Sequence, residues 1–291
     1  MKPLHNRIDD ARKALKCPWE ILEKDYVLSW LIAGIGKDPI LCDRLVFKGG
    51  TALRKCYFGD YRFSEDLDFS ATPDCPRGDE LEAGIVKSCA TAKSLVHEFA
   101  PIEISCRRYV ERDEHPAGQE AFEVHVKFEW QRTALTRLLV EIIHDEKVLK
   151  PALERPIIHG YGETLDARIK VYALEEIVAE KLRALLQHTE ILRRRGWDRS
   201  RARDYYDVWR ILGAYGDTLD FAGFPGFLQE KCAVRNVSFK SAEDFFDVGM
   251  IANVEKTWKS WLGPLVPDLP EFHGVIADLK NRLALFLPPS Q

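Results

Sequence analysis

Apolar and polar positions along this chain repeat with two different periods, and the period changes part-way through. Between residues 5 and 36, Trp19, Leu22, Tyr26, Leu28, Leu31 and Ile32 recur at roughly helical spacing. Pro18 suits a helix start, so this stretch is expected to be helical. Leu45-Val46-Phe47 then reads as a short strand, Lys48-Gly49-Gly50-Thr51 as a turn and Ala52–Phe58 as a helix. Asp66-Leu67-Asp68-Phe69 alternates like a second strand. A Pro- and Gly-containing loop at Thr72–Gly78 precedes a helix at Asp79–Phe99, with Leu81, Ile85, Ala92 and Val96 on one side and Pro101 ending it. Three strands are expected next, at Ile102–Val110, Ala121–Trp130 and Leu138–His144. In the second of these, Phe122, Val124, Val126 and Phe128 face one way, and Glu123, His125, Lys127 and Glu129 the other, as on a sheet with one wet face. Residues 145–168, with Pro151, Pro156, Gly160 and Gly162, read as a connector, after which the strand pattern nearly vanishes. The expectation is an α/β domain over 1–165, a mixed sheet flanked by helices, followed by an α-helical domain over 166–291.

The densest chemistry lies in Phe47–Ser70, FKGGTALRKCYFGDYRFSEDLDFS. Two glycines let the backbone turn sharply and approach a ligand closely. The amides that open the following helix favour an anion, phosphate above all. Asp66 and Asp68 are two apart, so on a strand both carboxylates leave one face. Like charges converging on one point need a cation between them, and hard divalent ions prefer oxygen ligands. A lone Gly-Gly-Thr is usually a turn, and a lone Asp-x-Asp a solvated edge. Together, within twenty residues, they equip a chain for phosphoryl or nucleotidyl transfer. Further along, Glu141 interrupts the apolar run LLVEIIH; a carboxylate there must be paired, for example with Arg62 or Arg137, or bound to metal.

Composition narrows the reading without redirecting it. With 46% hydrophobic and 30% charged residues in 291, the chain is an ordinary globular one. It has no run of eighteen apolar residues, and its polar, acidic start does not resemble a secretion signal, so no membrane role is expected. Seven scattered cysteines with no C-x-x-C pair argue for the reducing cytoplasm and against structural zinc. A net charge of −4 offers no overall attraction to nucleic acid. The charge is uneven, however: residues 181–210 hold nine Lys/Arg against four Asp/Glu. Arg193, Arg194, Arg195, Arg199 and Arg201 make that run either a solvated loop or the footprint of a polyanion. Trp197 and Tyr205-Tyr206 add stacking surfaces, although Tyr205 and Trp209, at i and i+4, also read as core. Just upstream, Lys181 sits within the apolar stripe Leu174, Ile177, Val178, Leu182 and Leu185, where a lysine often snorkels to the edge. Glu23-Lys24-Asp25 reads from local pattern as a solvated helical turn.

Gly50-Thr51, a spacer of fourteen residues, and Asp66-Leu67-Asp68 resemble the signature of the polymerase β-like nucleotidyltransferase superfamily. With Lys48-Gly49-Gly50-Thr51-Ala52-Leu53 and Arg62-Phe63-Ser64-Glu65-Asp66-Leu67-Asp68, the string is similar to the AbiEii branch, the nucleotidyltransferase toxins of bacterial toxin–antitoxin and phage-abortive systems. Thr51 in place of Ser and the long spacer are departures that fit this branch. The resemblance implies a polymerase β-like core and a helical C-terminal domain that completes the active-site cleft. It implies Mg²⁺ or Mn²⁺ on Asp66, Asp68 and Glu141, and a nucleoside triphosphate held by Lys48, Gly49, Gly50, Thr51, Arg62 and Ser64. Lys181 would contact the triphosphate, and Asp204, in Arg203-Asp204-Tyr205-Tyr206-Asp207, would be an active-site carboxylate, with Asp207 its partner or a cap. The Glu-Lys-Asp segment would brace the core. The implied acceptor is RNA, tRNA ends above all, with a co-encoded AbiEi-like winged-helix antitoxin as partner. The rival readings are a protein or small-molecule acceptor, or a binding module with an idle site.

Overall fold

The computed structural model describes residues 1–110 and 118–289, and the chain divides into two compact units, Met1–Tyr172 and Ala173–Gln291. The first unit is built on helix α2 (Trp19–Gly36), which follows α1 (Leu4–Leu15) after Pro18. Fourteen of the eighteen residues of α2 are buried. A helix that is apolar nearly all round has to be a central one. Its fit is close: a Cβ on Gly34 would lie 2.2 Å from the Ser88 carbonyl oxygen, so only glycine lets α5 (Gly78–His97) cross there.

Beside these helices lies a mixed seven-stranded sheet, ordered β3-β4-β5-β2-β1-β7-β6. Its strands are β1 (Leu45–Lys48), β2 (Leu67–Ala71), β3 (Glu103–Tyr109), β4 (Gln119–Lys127), β5 (Thr136–Ile143), β6 (Leu153–Pro156) and β7 (Arg168–Val171). At its centre β1 runs antiparallel to β2, and β2 parallel to β5. Two short helices, α3 (Leu41–Arg44) and α4 (Gly49–Ala52), flank β1. The alternation read in β4 holds: Phe122, Val124 and Val126 are buried, while Glu123, His125 and Lys127 are half-exposed. His125 pairs with Glu123 at 2.9 Å, an ordinary contact between neighbours on the wet face. Where a connector was expected, β6 and β7 extend the sheet beyond β1.

Among the described residues of the second unit, the regular secondary structure is all helical. It holds α6 (Leu174–Arg195), α7 (Ala202–Tyr215), α8 (Phe224–Ala233), α9 (Val248–Leu262) and α10 (Phe272–Leu283). The stripe Leu174, Ile177, Val178, Leu182 and Leu185 is buried as expected, as are Tyr205, Phe245, Phe246 and Trp258, whereas Trp261 is 40% exposed. The unit also encloses an ion pair, Lys231 with Glu176 at 2.6 Å, both fully buried. Among the described residues of the chain, no helix is long and apolar enough to cross a membrane.

A buried polar cluster ties α1 and α2 to the segment before β7. The Glu163 carboxylate accepts the Tyr26 hydroxyl at 2.7 Å and His159 Nε2 at 3.2 Å, and it pairs with Arg7. Burial opposes its ionisation, but His159, Arg7 and Tyr26 together outweigh that and hold it at about 2. A carboxyl lowered from 4.5 in this way adds stability above the unfolded value and loses it as pH falls toward 2. Glu163→Gln should therefore lower stability at pH 7 by roughly 3 kcal/mol and flatten its decline between pH 4.5 and 2. Urea unfolding of both proteins across that range checks this, and parallel pH profiles would rule it out.

Candidate active site

The strand, turn, helix and strand expected around the glycines and aspartates form within the first unit. β1 ends at Lys48, a residue only 6% exposed, whose Nζ lies 5.5 Å over the Tyr172 ring. Lys48 is the register partner of Asp68 on β2, and Asp68 is that of Glu141 on β5. Directly paired residues project from the same face, so Lys48, Asp68 and Glu141 make one row across three strands. The Gln119 side-chain amide donates to Glu141 at 2.7 Å. Arg137, considered as a Glu141 partner, instead approaches Glu123 at 3.7 Å.

Each glycine has a neighbour that requires it. Gly49 turns with φ +78°, and a Cβ there would lie 2.4 Å from Asp68 Oδ2. A Cβ on Gly50 would lie 2.3 Å from an Arg62 guanidinium nitrogen. The glycines thus lie between the carboxylate and guanidinium that flank them, and the helix opens at this point. After Ala52 it widens into a π turn, Leu53–Tyr57, a form common at functional sites. Arg62 is buried and donates to the Phe63 carbonyl at 3.2 Å; Ser64 is half-buried in the same loop.

Thr51 and Asp66 are joined by a direct contact. Thr51 is fully buried, and its hydroxyl donates to the Asp66 carbonyl at 2.5 Å. It ties the turn to the carboxylate strand. Asp66 lies just ahead of β2, half-buried. Among the described residues no three His, Cys, Asp or Glu side chains form a group that could hold a metal ion. Asp68 and Glu141 are register partners, and Asp66 lies immediately ahead of β2. Two oxygen donors still fit a small hard cation, since Mg²⁺ is usually held by one or two carboxylates together with substrate phosphates.

The Glu23-Lys24-Asp25 segment is a brace and not a solvated turn. Asp25 is 2% exposed and pairs with Arg54 at 2.6 Å and Lys55 at 2.9 Å, both just past the glycine turn. Tyr161 adds a hydrogen bond at 3.0 Å. Burial opposes the Asp25 charge, but Lys55 and Arg54 outweigh it and hold the carboxyl well below the usual range. Burial in turn brings Lys55 down to about 8 against the pull of Asp25. Arg54 stacks 3.8 Å over Phe63 and donates to the Tyr61 carbonyl, and Lys24 pairs with Glu65 at 2.9 Å. The loop that delivers Arg62 and Asp66 is thus strapped to α2. The one signal in the sequence was three charges inside a helix with no other polar face.

In the second unit, Lys181 is 9% exposed and does not snorkel: it pairs with Asp204 at 3.0 Å and with the fully buried Asp207 at 2.6 Å. Burial opposes the Asp204 charge, but Lys181 and Arg201 hold the carboxyl well below its ordinary range. Asp207 is a partner in this cluster rather than a cap. Arg201, expected on an RNA-facing surface, is buried, pairing with Asp204 at 3.2 Å and contacting His188. Arg193 reaches Asp247 at 2.6 Å. Arg194, Arg195 and Arg199 are exposed, beside a Trp197 that is 68% exposed.

A mixed sheet with a glycine turn feeding a Lys–Asp–Glu row, followed by a helical unit, is a nucleotidyltransferase architecture. In the same fold is MenT4, a nucleotidyltransferase toxin from Mycobacterium tuberculosis H37Rv, which is 22% identical with a TM-score of 0.61 over 92% of this chain and 84% of that one. No curated protein matches the chain. A model of the family described as nucleotidyl transferase AbiEii toxin, type IV TA system, matches residues 31–283. The chain belongs to this family, and it is a nucleotidyltransferase toxin of a type IV toxin–antitoxin system, with an antitoxin partner and a nucleoside triphosphate substrate implied.

The strap makes a prediction. Asp25→Ala leaves two buried cations without their counterion and should cost about 3–5 kcal/mol in urea unfolding. A variant as stable as the parent would show that the strap is not needed.

Proposed function

We propose that this chain transfers a nucleoside monophosphate from a nucleoside triphosphate to an RNA acceptor, with the end of a tRNA as the favoured target, in a Mg²⁺-dependent reaction in the cytoplasm. The observation that carries the reading is the Lys48–Asp68–Glu141 row beside the Gly49-Gly50 turn. Asp68 and Glu141 would hold Mg²⁺, which when bound stabilises charge on the phosphoryl oxygens and activates the attacking hydroxyl. The backbone amides from Gly49 onward would hold the β- and γ-phosphates, with Arg62 and Lys48 supplying positive charge. Lys181 and Asp204, matched to the family pattern, are assigned to the triphosphate and to the active-site carboxylates respectively. The RNA acceptor is supported by the exposed Arg194, Arg195, Arg199 and Trp197, a basic patch with a stacking ring in a chain of net charge −4. The family's toxin–antitoxin role, and an AbiEi-like winged-helix protein as antitoxin, complete the reading.

Incubation with Mg²⁺, each α-labelled NTP in turn and total bacterial RNA should place label on a tRNA-sized band. Asp68→Ala and Glu141→Ala should each lower that labelling at least about a hundredfold while the fold is retained. Label on protein in place of RNA would move the acceptor to a polypeptide. Full activity of Asp68→Ala would sink the carboxylate assignment.

A further inference from the structure

The first unit has a second concave surface, a groove of about 490 Å³ between the start of α2 and the β4–β5 connection. Its walls are the indoles of Trp19 and Trp130, set edge to face at 5.8 Å, and Leu135, 68% exposed, stands at the lip. Its floor is Glu23, only 4% exposed. One Glu23 oxygen accepts both indole N–H groups, each at 2.7 Å. The other accepts the Gln131 amide at 3.0 Å and the Thr136 hydroxyl at 2.9 Å.

Four neutral donors fill the lone-pair sites of a carboxylate. Glu23 therefore acts as an orienter: it fixes both rings through their N–H edges, and both rings line the groove. Phe128 stacks beneath Trp130 at 4.8 Å, and His5 packs against Trp19 at 4.8 Å. Arg132 and Lys24 bring positive charge to the rim, opposed by the exposed Glu20. Rigid indole faces with cations at their edge suit a planar, electron-rich ring attached to a phosphate.

The groove also lies at the catalytic end of the sheet. β5 begins at Thr136 and runs parallel to β2, with Leu67 beside Val140. Extending that register puts Asp66 level with Leu139, about 10 Å along the strand from Thr136, which lines the groove. On the rim, Lys24 pairs with Glu65, the residue before Asp66.

We infer that this groove stacks a nucleobase of the reaction's substrates against Trp19 and Trp130. This rests on the nucleotidyl-transfer reading above. Two sources supply that chemistry, the incoming nucleoside triphosphate and an unpaired base of the RNA acceptor. Stacking tolerates base identity, so the groove adds affinity without choosing a sequence.

The test uses the full chain with Trp130→Ala, Trp130→Phe and Leu135→Asp, each checked for fold by circular dichroism and melting. The phenylalanine variant keeps a ring and loses the Glu23 hydrogen bond; the exposed Leu135→Asp leaves the core untouched if Trp130→Ala does not fold. KM is measured separately for the NTP and for the RNA. Tryptophan quenching is followed with each NTP alone and with a ten-nucleotide single-stranded RNA alone. Trp130→Ala should raise one KM about tenfold or more and weaken quenching by the same ligand, with Trp130→Phe close to the parent. A rise in the NTP's KM names the incoming nucleotide as the source, and a rise in the RNA's names the acceptor. Parent-like KM values in Trp130→Ala and Leu135→Asp would overturn the groove, as would a phenylalanine variant as impaired as the alanine. Quenching by nucleotides with no transfer product would overturn the reaction and leave the groove standing.

Discussion

The first unit depends on one buried carboxylate. Asp25 lies within a helix that is enclosed nearly all round, and it is matched by two cations from the helix after the glycine turn. None of the three tolerates losing the others, because an uncompensated charge in that interior is far costlier than a missing contact. The orientation of the glycine turn is set by this requirement. From Arg54 the constraint passes to Phe63 and the Tyr61 carbonyl, and from Thr51 to the Asp66 carbonyl. A site that orients phosphate needs donors held within a fraction of an ångström, and packing around a charge triad supplies that rigidity.

What was legible in the sequence was what local spacing records. Alternation in AFEVHVKFEW gave β4 and its wet face, and the Lys-Gly-Gly-Thr and Asp-Leu-Asp strings gave the row that β1, β2 and β5 assemble. The strands β6 and β7 were not legible: Leu-Glu-Arg-Pro and Arg-Ile-Lys-Val are four residues each and half charged, too short for any period to stand out. Their place is decided by an available edge beside β1. The Glu-Lys-Asp segment was misread for a related reason. Its partners lie up to 136 residues away, and a charge paired at long range looks, from its neighbours alone, like a charge in water. Arg201 shows the same failure in the basic run, where composition counts it as surface and Asp204 holds it inside.

The carboxylates of the site differ in kind from the carboxylates of the brace. Asp25 and Asp204 each have two cations beside them and are held ionised by pairing. Asp68 and Glu141 stand side by side on parallel strands, with Lys48 at one end of the row and the Gln119 amide on Glu141. On the nucleotidyl-transfer reading proposed above, two adjacent carboxylates on one face are where a cation carried with the substrate would sit.

Three consecutive residues of α2 explain how one turn of helix serves so much of the unit. Successive side chains on a helix are about 100° apart, so Glu23, Lys24 and Asp25 leave it in three directions. Glu23 anchors the two indoles of the groove, Lys24 holds Glu65 ahead of the carboxylate strand, and Asp25 holds the helix behind the glycine turn. A helix lying on a surface would have sent at least one of these into water. Only a helix enclosed nearly all round has protein to meet on every side, and that is why the most apolar helix of the chain also carries its most consequential charges.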